Sequence, residues 1–94
     1  MNLESLREKI DGIDSRIIKL IGERQRLAGE MAHLKFREGM PIRDAEQRER
    51  VLERAFDRAV ESRIDPVSIQ MVFEILVRMS EERQQECMGD GNLP

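Results

Sequence analysis

The sequence predicts an all-α protein, and three observations carry that prediction. Leu3, Leu6, Ile10, Ile13, Ile17, Leu20, Arg24, Leu27, Met31 and Leu34 follow an unbroken alternation of three and four. That spacing puts all of them on one stripe of a single long helix. Tyr and Trp are absent and 37% of the 94 residues are charged, in a mix rich in Ala, Glu, Lys, Arg, Leu and Ile. Such a mix belongs to long helices and coiled-coil packing. Finally, helix punctuation falls at Gly39–Pro41 and at Asp65-Pro66, which divides the chain into three helices.

The first helix is expected from Asn2 or Leu3 to about Arg37, with Asn2 as N-cap and Glu4 favouring the positive helix start. At ~1.5 Å per residue it spans roughly 50 Å, too long to bury its stripe against a compact monomer of this size. A chain this short also builds only a marginal core by itself, so oligomerisation is expected. Gly39 ends the helix and Pro41 prevents its resumption. In the Pro41-Ile42-Arg43-Asp44 loop, Asp44 with Gln47 resembles a capping box. The second helix follows from Ala45 to about Ser62, burying Val51, Leu52, Ala55, Phe56, Ala59 and Val60. Asp65 caps the third helix, Pro66 takes its first position, and it continues from Val67 to about Cys87. Ile69, Val72, Phe73, Leu76, Val77 and Met79 are its inward residues. The helical domain thus covers residues 1–88, and 89–94 form a flexible tail.

The net charge of −3 leaves no basic footprint for nucleic acid. A single cysteine, Cys87, excludes an internal disulfide, fits a reducing compartment and reads as a bystander thiol near a helix end. No apolar run reaches the ~18 residues of a membrane span and no signal-peptide pattern opens the chain, so a cytoplasmic location is expected.

Arg24 interrupts an otherwise apolar stripe, and a guanidinium facing a helix seam is costly unless an anion meets it. Lys35 lies eleven residues on, close to three full turns, so both cations project from one face. Arg7 borders the same stripe, roughly 25 Å from Arg24 along the axis, and approaches it only from a second, antiparallel chain. On the third helix, Ser80 and Gln84 continue the Phe73–Leu76/Val77 face where hydrophobes would be expected. On the second, Arg48 extends the face of Leu52 towards the Asp44 end. Each has an ordinary explanation: a seam ion pair for Arg24, a snorkelling lysine for Lys35, rim residues for Ser80 and Gln84. Their joint occurrence on three helices points to a site. That site is cationic, and it lacks a Cys–His pair, a Ser–His–Asp set, a metal-ligand cluster or a glycine-rich phosphate loop. The lone His33 lies off the seam, as a solvated residue. Arg, Arg, Lys, Ser and Gln suit a small dianion whose reaction needs clamping and electrostatic stabilisation.

From about Leu3 to Gln85 the chain resembles the all-helical class of chorismate mutases. The resemblance rests on Leu6-Arg7-Glu8-Lys9-Ile10-Asp11 with Ile13-Asp14, Glu23-Arg24, Lys35, Pro41-Ile42-Arg43-Asp44, Val51-Leu52-Glu53-Arg54 and the Phe73–Gln84 stretch, aligned without a gap. It implies a fold of three helices per chain in an intertwined six-helix homodimer with antiparallel first helices. It also implies the Claisen rearrangement of chorismate to prephenate, without cofactor or metal. Carried over, Arg24 and the partner's Arg7 would hold the two substrate carboxylates. Lys35 and Gln84 would donate to the ether oxygen, Ser80 would assist at a carboxylate, and the Asp44 region would contact the ring hydroxyl.

One departure stands out. The family pattern after the loop aspartate is Asp-x-x-Arg-Glu, and this chain has Gln47 and Arg48 in those two places. Gln47 is then expected as a cap partner and Arg48 as the group that reaches a carboxylate. The change keeps open an isochorismate-pyruvate lyase on the same scaffold. A non-catalytic helical dimerisation module is the third reading.

Overall fold

Asn2 accepts the Ser5 N–H on its side-chain oxygen at 2.8 Å, satisfying one of the orphan donors at the start of helix α1, Leu3–Glu38. The computed structural model describes residues 2–89. Gly39 closes α1 in the left-handed region (φ 68°), where only glycine escapes a Cβ clash. The Gly39 and Met40 N–H groups turn back on the carbonyls of Phe36 and Lys35. Asp44 then caps α2, Ala45–Glu61, by accepting the Gln47 N–H at 3.1 Å. Its last carbonyls are met in the same way, by Arg63 onto Val60 and Ile64 onto Ala59, but here the left-handed residue is Arg63 (φ 58°). Asp65 receives both the backbone N–H and the hydroxyl of Ser68, and α3 runs from Pro66 to Gly89. The three helices fall where the sequence sets them, with ends differing by one or two residues. The expected flexible tail, apart from Gly89, lies outside the described residues.

α3 is the central element. It packs against α1 and α2, which do not pack on each other among the described residues. Small side chains make both crossings. Ala28, Gly29 and Ala32 are the buried residues of α1, and Ala55 and Ala59 those of α2. A Cβ on Gly29 would stand 3.5 Å from the Cys87 sulfur, so that thiol is a packing residue of the α1–α3 crossing and not a bystander. Gln70 Nε2 donates to the Leu52 carbonyl and ties α3 to α2 at 3.4 Å.

The apolar faces of the single chain are only partly covered. All nine hydrophobes of the α1 stripe stay between 43% and 62% exposed, and from Asn2 to Leu20 every residue except Ser5 is exposed. Val60 and Val72, expected inside, are also exposed. α2 has only α3 as a neighbour, so a single ridge of it is covered, and Val72 points to neither crossing. His33, expected in solvent, is half-buried. The radius of gyration is 16.5 Å, well above the ~12 Å of a compact domain of this length, and the long dimension of 54 Å is that of α1. No helix among the described residues is long and apolar enough to cross a membrane.

Candidate active site

The C-terminal half of α1, the loop after it, the start of α2 and the last turns of α3 enclose one cleft of about 610 Å³, its open mouth included. Arg24, Met31 and Lys35 line it from α1, and Ile42 and Asp44 from the loop. Gln47, Arg48 and Val51 come from α2, and Val77, Ser80, Glu81 and Gln84 from α3. Seven of the eight side chains singled out from the sequence converge here. The eighth, Arg7, does not line the cleft of its own chain.

Periodicity explains the convergence. Arg24, Met31 and Lys35 share one α1 face, while Val77, Ser80, Glu81 and Gln84 are steps of three and four on α3. Lys35 donates to the Ile42 carbonyl and to Gln84 Oε1, both at 2.7 Å. Gln84, only 3% exposed, donates from Nε2 to the Ser80 hydroxyl at 3.1 Å. An ammonium has three N–H donors and a carboxamide two. After these bonds Lys35 and Gln84 each keep one N–H uncommitted, on groups already fixed in position. Arg24 is half-buried and gives one long hydrogen bond (3.4 Å) to the Leu76 carbonyl, which leaves most of its donors available. No carboxylate forms an ion pair with Arg24 among the described residues.

At the α2 end the structure adds a residue that the sequence reading missed. Glu81 has a side chain 14% exposed, with Oε1 at 3.8 Å from Arg48 and 4.0 Å from Arg43. Arg48 therefore meets a carboxylate of its own chain. Gln47 is exposed, and its backbone N–H makes the expected cap to Asp44. The signal for Glu81 was its place between Ser80 and Gln84, hidden in the charged run Glu81-Glu82-Arg83. The cleft therefore offers cationic and neutral donors in excess over two carboxylates. Among the described residues no group of three or more His, Cys, Asp or Glu could hold a metal ion.

Comparison with known proteins gives the family. The family model for chorismate mutase type II matches residues 6–85. A chorismate mutase of Methanocaldococcus jannaschii is 34% identical over 88 residues, covering 94% of this chain and 89% of that protein. The bifunctional chorismate mutase/prephenate dehydratase of Escherichia coli is 31% identical over 92% of this chain, which spans 22% of that longer protein. Among solved structures, a conserved hypothetical protein from Pyrococcus furiosus superposes with a TM-score of 0.71 at 32% identity, over 87% of this chain and 93% of that one. Matched over most of its length, the chain is an isomerase of the chorismate mutase type II family.

Proposed function

We propose that the cleft binds chorismate and rearranges it to prephenate by conformational clamping and electrostatic stabilisation, within aromatic amino acid biosynthesis. The observation that carries this reading is the fixed Lys35–Gln84–Ser80 chain lining the same cleft as Arg24. In the rearrangement one ether C–O bond breaks while a C–C bond forms, with no proton or electron exchanged with the protein. Negative charge grows on the ether oxygen at the transition state. The remaining N–H of Lys35 and that of Gln84 would meet this charge without reorganisation. Arg24 would hold one carboxylate with Ser80 assisting, so that the substrate stays in its folded, reactive conformer.

The second carboxylate calls for Arg7 of the partner subunit in an antiparallel homodimer. Two observations support that assembly: the exposed α1 stripe and the radius of gyration of a chain that does not close on itself. Its first helices would pair along the stripe in a six-helix bundle.

A second reading, an isochorismate-pyruvate lyase, draws on Gln47 and Arg48 standing where the family carries Arg and Glu. One experiment separates the two. The purified chain is incubated with chorismate or isochorismate and its products are identified. Prephenate from chorismate is expected. Salicylate and pyruvate from isochorismate, with chorismate unchanged, would replace the mutase reading.

A further inference from the structure

Glu81 is neither a carboxylate clamp nor an ether donor, yet it lines the cleft with its side chain largely buried. A carboxylate there opposes the binding of a dianion unless it has a task of its own. Its two cationic neighbours both meet the same oxygen, Oε1, and Oε2 has no ion pair or hydrogen bond among the described residues. Arg43 is 82% exposed, so its contact at 4.0 Å is screened and weak. Arg48, more covered and at the cleft itself, is the partner that orients the carboxylate.

The chemistry of the ligand decides what that oxygen can do. The chorismate dianion carries two carboxylates, an ether and a ring hydroxyl, and the hydroxyl is its only hydrogen-bond donor. Two carboxylates line the cleft to receive it, Asp44 and Glu81. Asp44 is exposed, and its Oδ1 already caps α2 through the Gln47 N–H. On the α2 wall Gln47 and Arg48 bring no carboxylate. We propose that Glu81, turned into the cleft by Arg48, is the specificity-determining acceptor of the substrate's ring hydroxyl. The carboxylate for this group would come from α3, paired with an α2 arginine. This assignment rests on the chorismate reading of the cleft.

The test compares kcat/KM for chorismate and for its analogue lacking the ring hydroxyl, in the wild-type chain, Glu81→Ala, Glu81→Gln and Asp44→Asn. The wild type is expected to prefer the hydroxylated substrate by about 10- to 100-fold, the usual worth of a hydrogen bond to a charged group. In Glu81→Ala that preference should fall close to unity, through the hydroxylated substrate alone. Glu81→Gln, which keeps the shape and a neutral acceptor, should fall between the two. Freeing Arg48 affects both substrates alike and leaves the ratio unmoved, as would a purely structural role. An unchanged preference in Glu81→Ala overturns the proposal, as does an equal loss on both substrates. A preference abolished by Asp44→Asn instead transfers the role to Asp44. A wild-type chain that does not rearrange chorismate overturns the functional reading itself, and this assignment with it.

Discussion

Lys35 and Gln84 share one hydrogen bond and reach the same point of the cleft from two helices. The bond fixes a long, rotamer-rich side chain, so in the proposed reaction little ordering would be left for the transition state. Lys35→Ala is expected to lower kcat by ~10²–10³-fold, the typical loss for one oriented donor to developing charge. Its melting temperature should fall moderately, because the change strands the oxygen of the buried Gln84 amide, while the loss of turnover is far larger. Gln84→Ala should cause a similar loss of turnover and a larger fall in stability, since the amide is buried. Steady-state kinetics beside thermal melts check both, and near-normal turnover in either variant would remove its role.

Asp65 makes a different prediction at the same scale. Its carboxyl is held below the usual range, first by the Ser68 hydroxyl and then by the Ser68 N–H. A folded pKa below the unfolded one contributes stability at pH values above the unfolded pKa. That contribution is lost as pH falls through the folded one. Asp65→Asn keeps a capping side chain but cannot titrate. Its melting temperature should fall less steeply than the wild type's below about pH 4, in melts taken between about pH 7 and pH 3.

Among the elements, periodicity and punctuation made the helices legible. The stripe from Leu3 to Leu34 and the Asn2, Asp44 and Asp65 caps needed only local physics. Arg24, Lys35, Ser80 and Gln84 were legible for a related reason, since a polar group breaks a run whose next member can be counted. Glu81 was not. Its spacing from Val77 and Gln84 fits the inward face, but a glutamate within a charged run reads as a solvated residue until its partners are known. Its arginine partners lie more than thirty residues away in sequence. Val72 escaped for the converse reason, because a single-chain pattern marks an apolar face without saying what covers it. The α2–α3 connection holds one more local feature. Arg63 occupies a left-handed conformation that costs an L-residue roughly 1–2 kcal/mol and glycine little. Allowing for the entropy of glycine in the unfolded chain, Arg63→Gly should stabilise the protein by about 0.5–1 kcal/mol. A higher urea midpoint at unchanged slope would report it. An unchanged or lower midpoint would show that the Arg63 side chain compensates for its backbone.

At the scale of the whole molecule, α1 is longer than the rest of the chain can cover, and Arg7 is remote from the cleft of its own subunit. In an antiparallel dimer each site would combine Arg24 of one subunit with Arg7 of the other. Arg7→Ala and Arg24→Ala homodimers should then both be nearly inactive. Unfolded together and refolded as a mixture, they should recover about a quarter of wild-type activity: half the dimers are mixed by chance, and each mixed dimer holds one intact site of its two. Recovery confined to the mixture confirms that the site is shared. Its absence, with both variants folded and dimeric, would mean that each chain completes its own site.

The uncovered hydrophobes of α1 would also set a condition on when the chain works at all. In the proposed dimer the fold would obey mass action: dilution would separate the halves, expose the stripe to water and remove an arginine from each cleft in one event. Stability and turnover per chain would then decline together as the protein becomes scarce. Abundance itself would become a condition of catalysis.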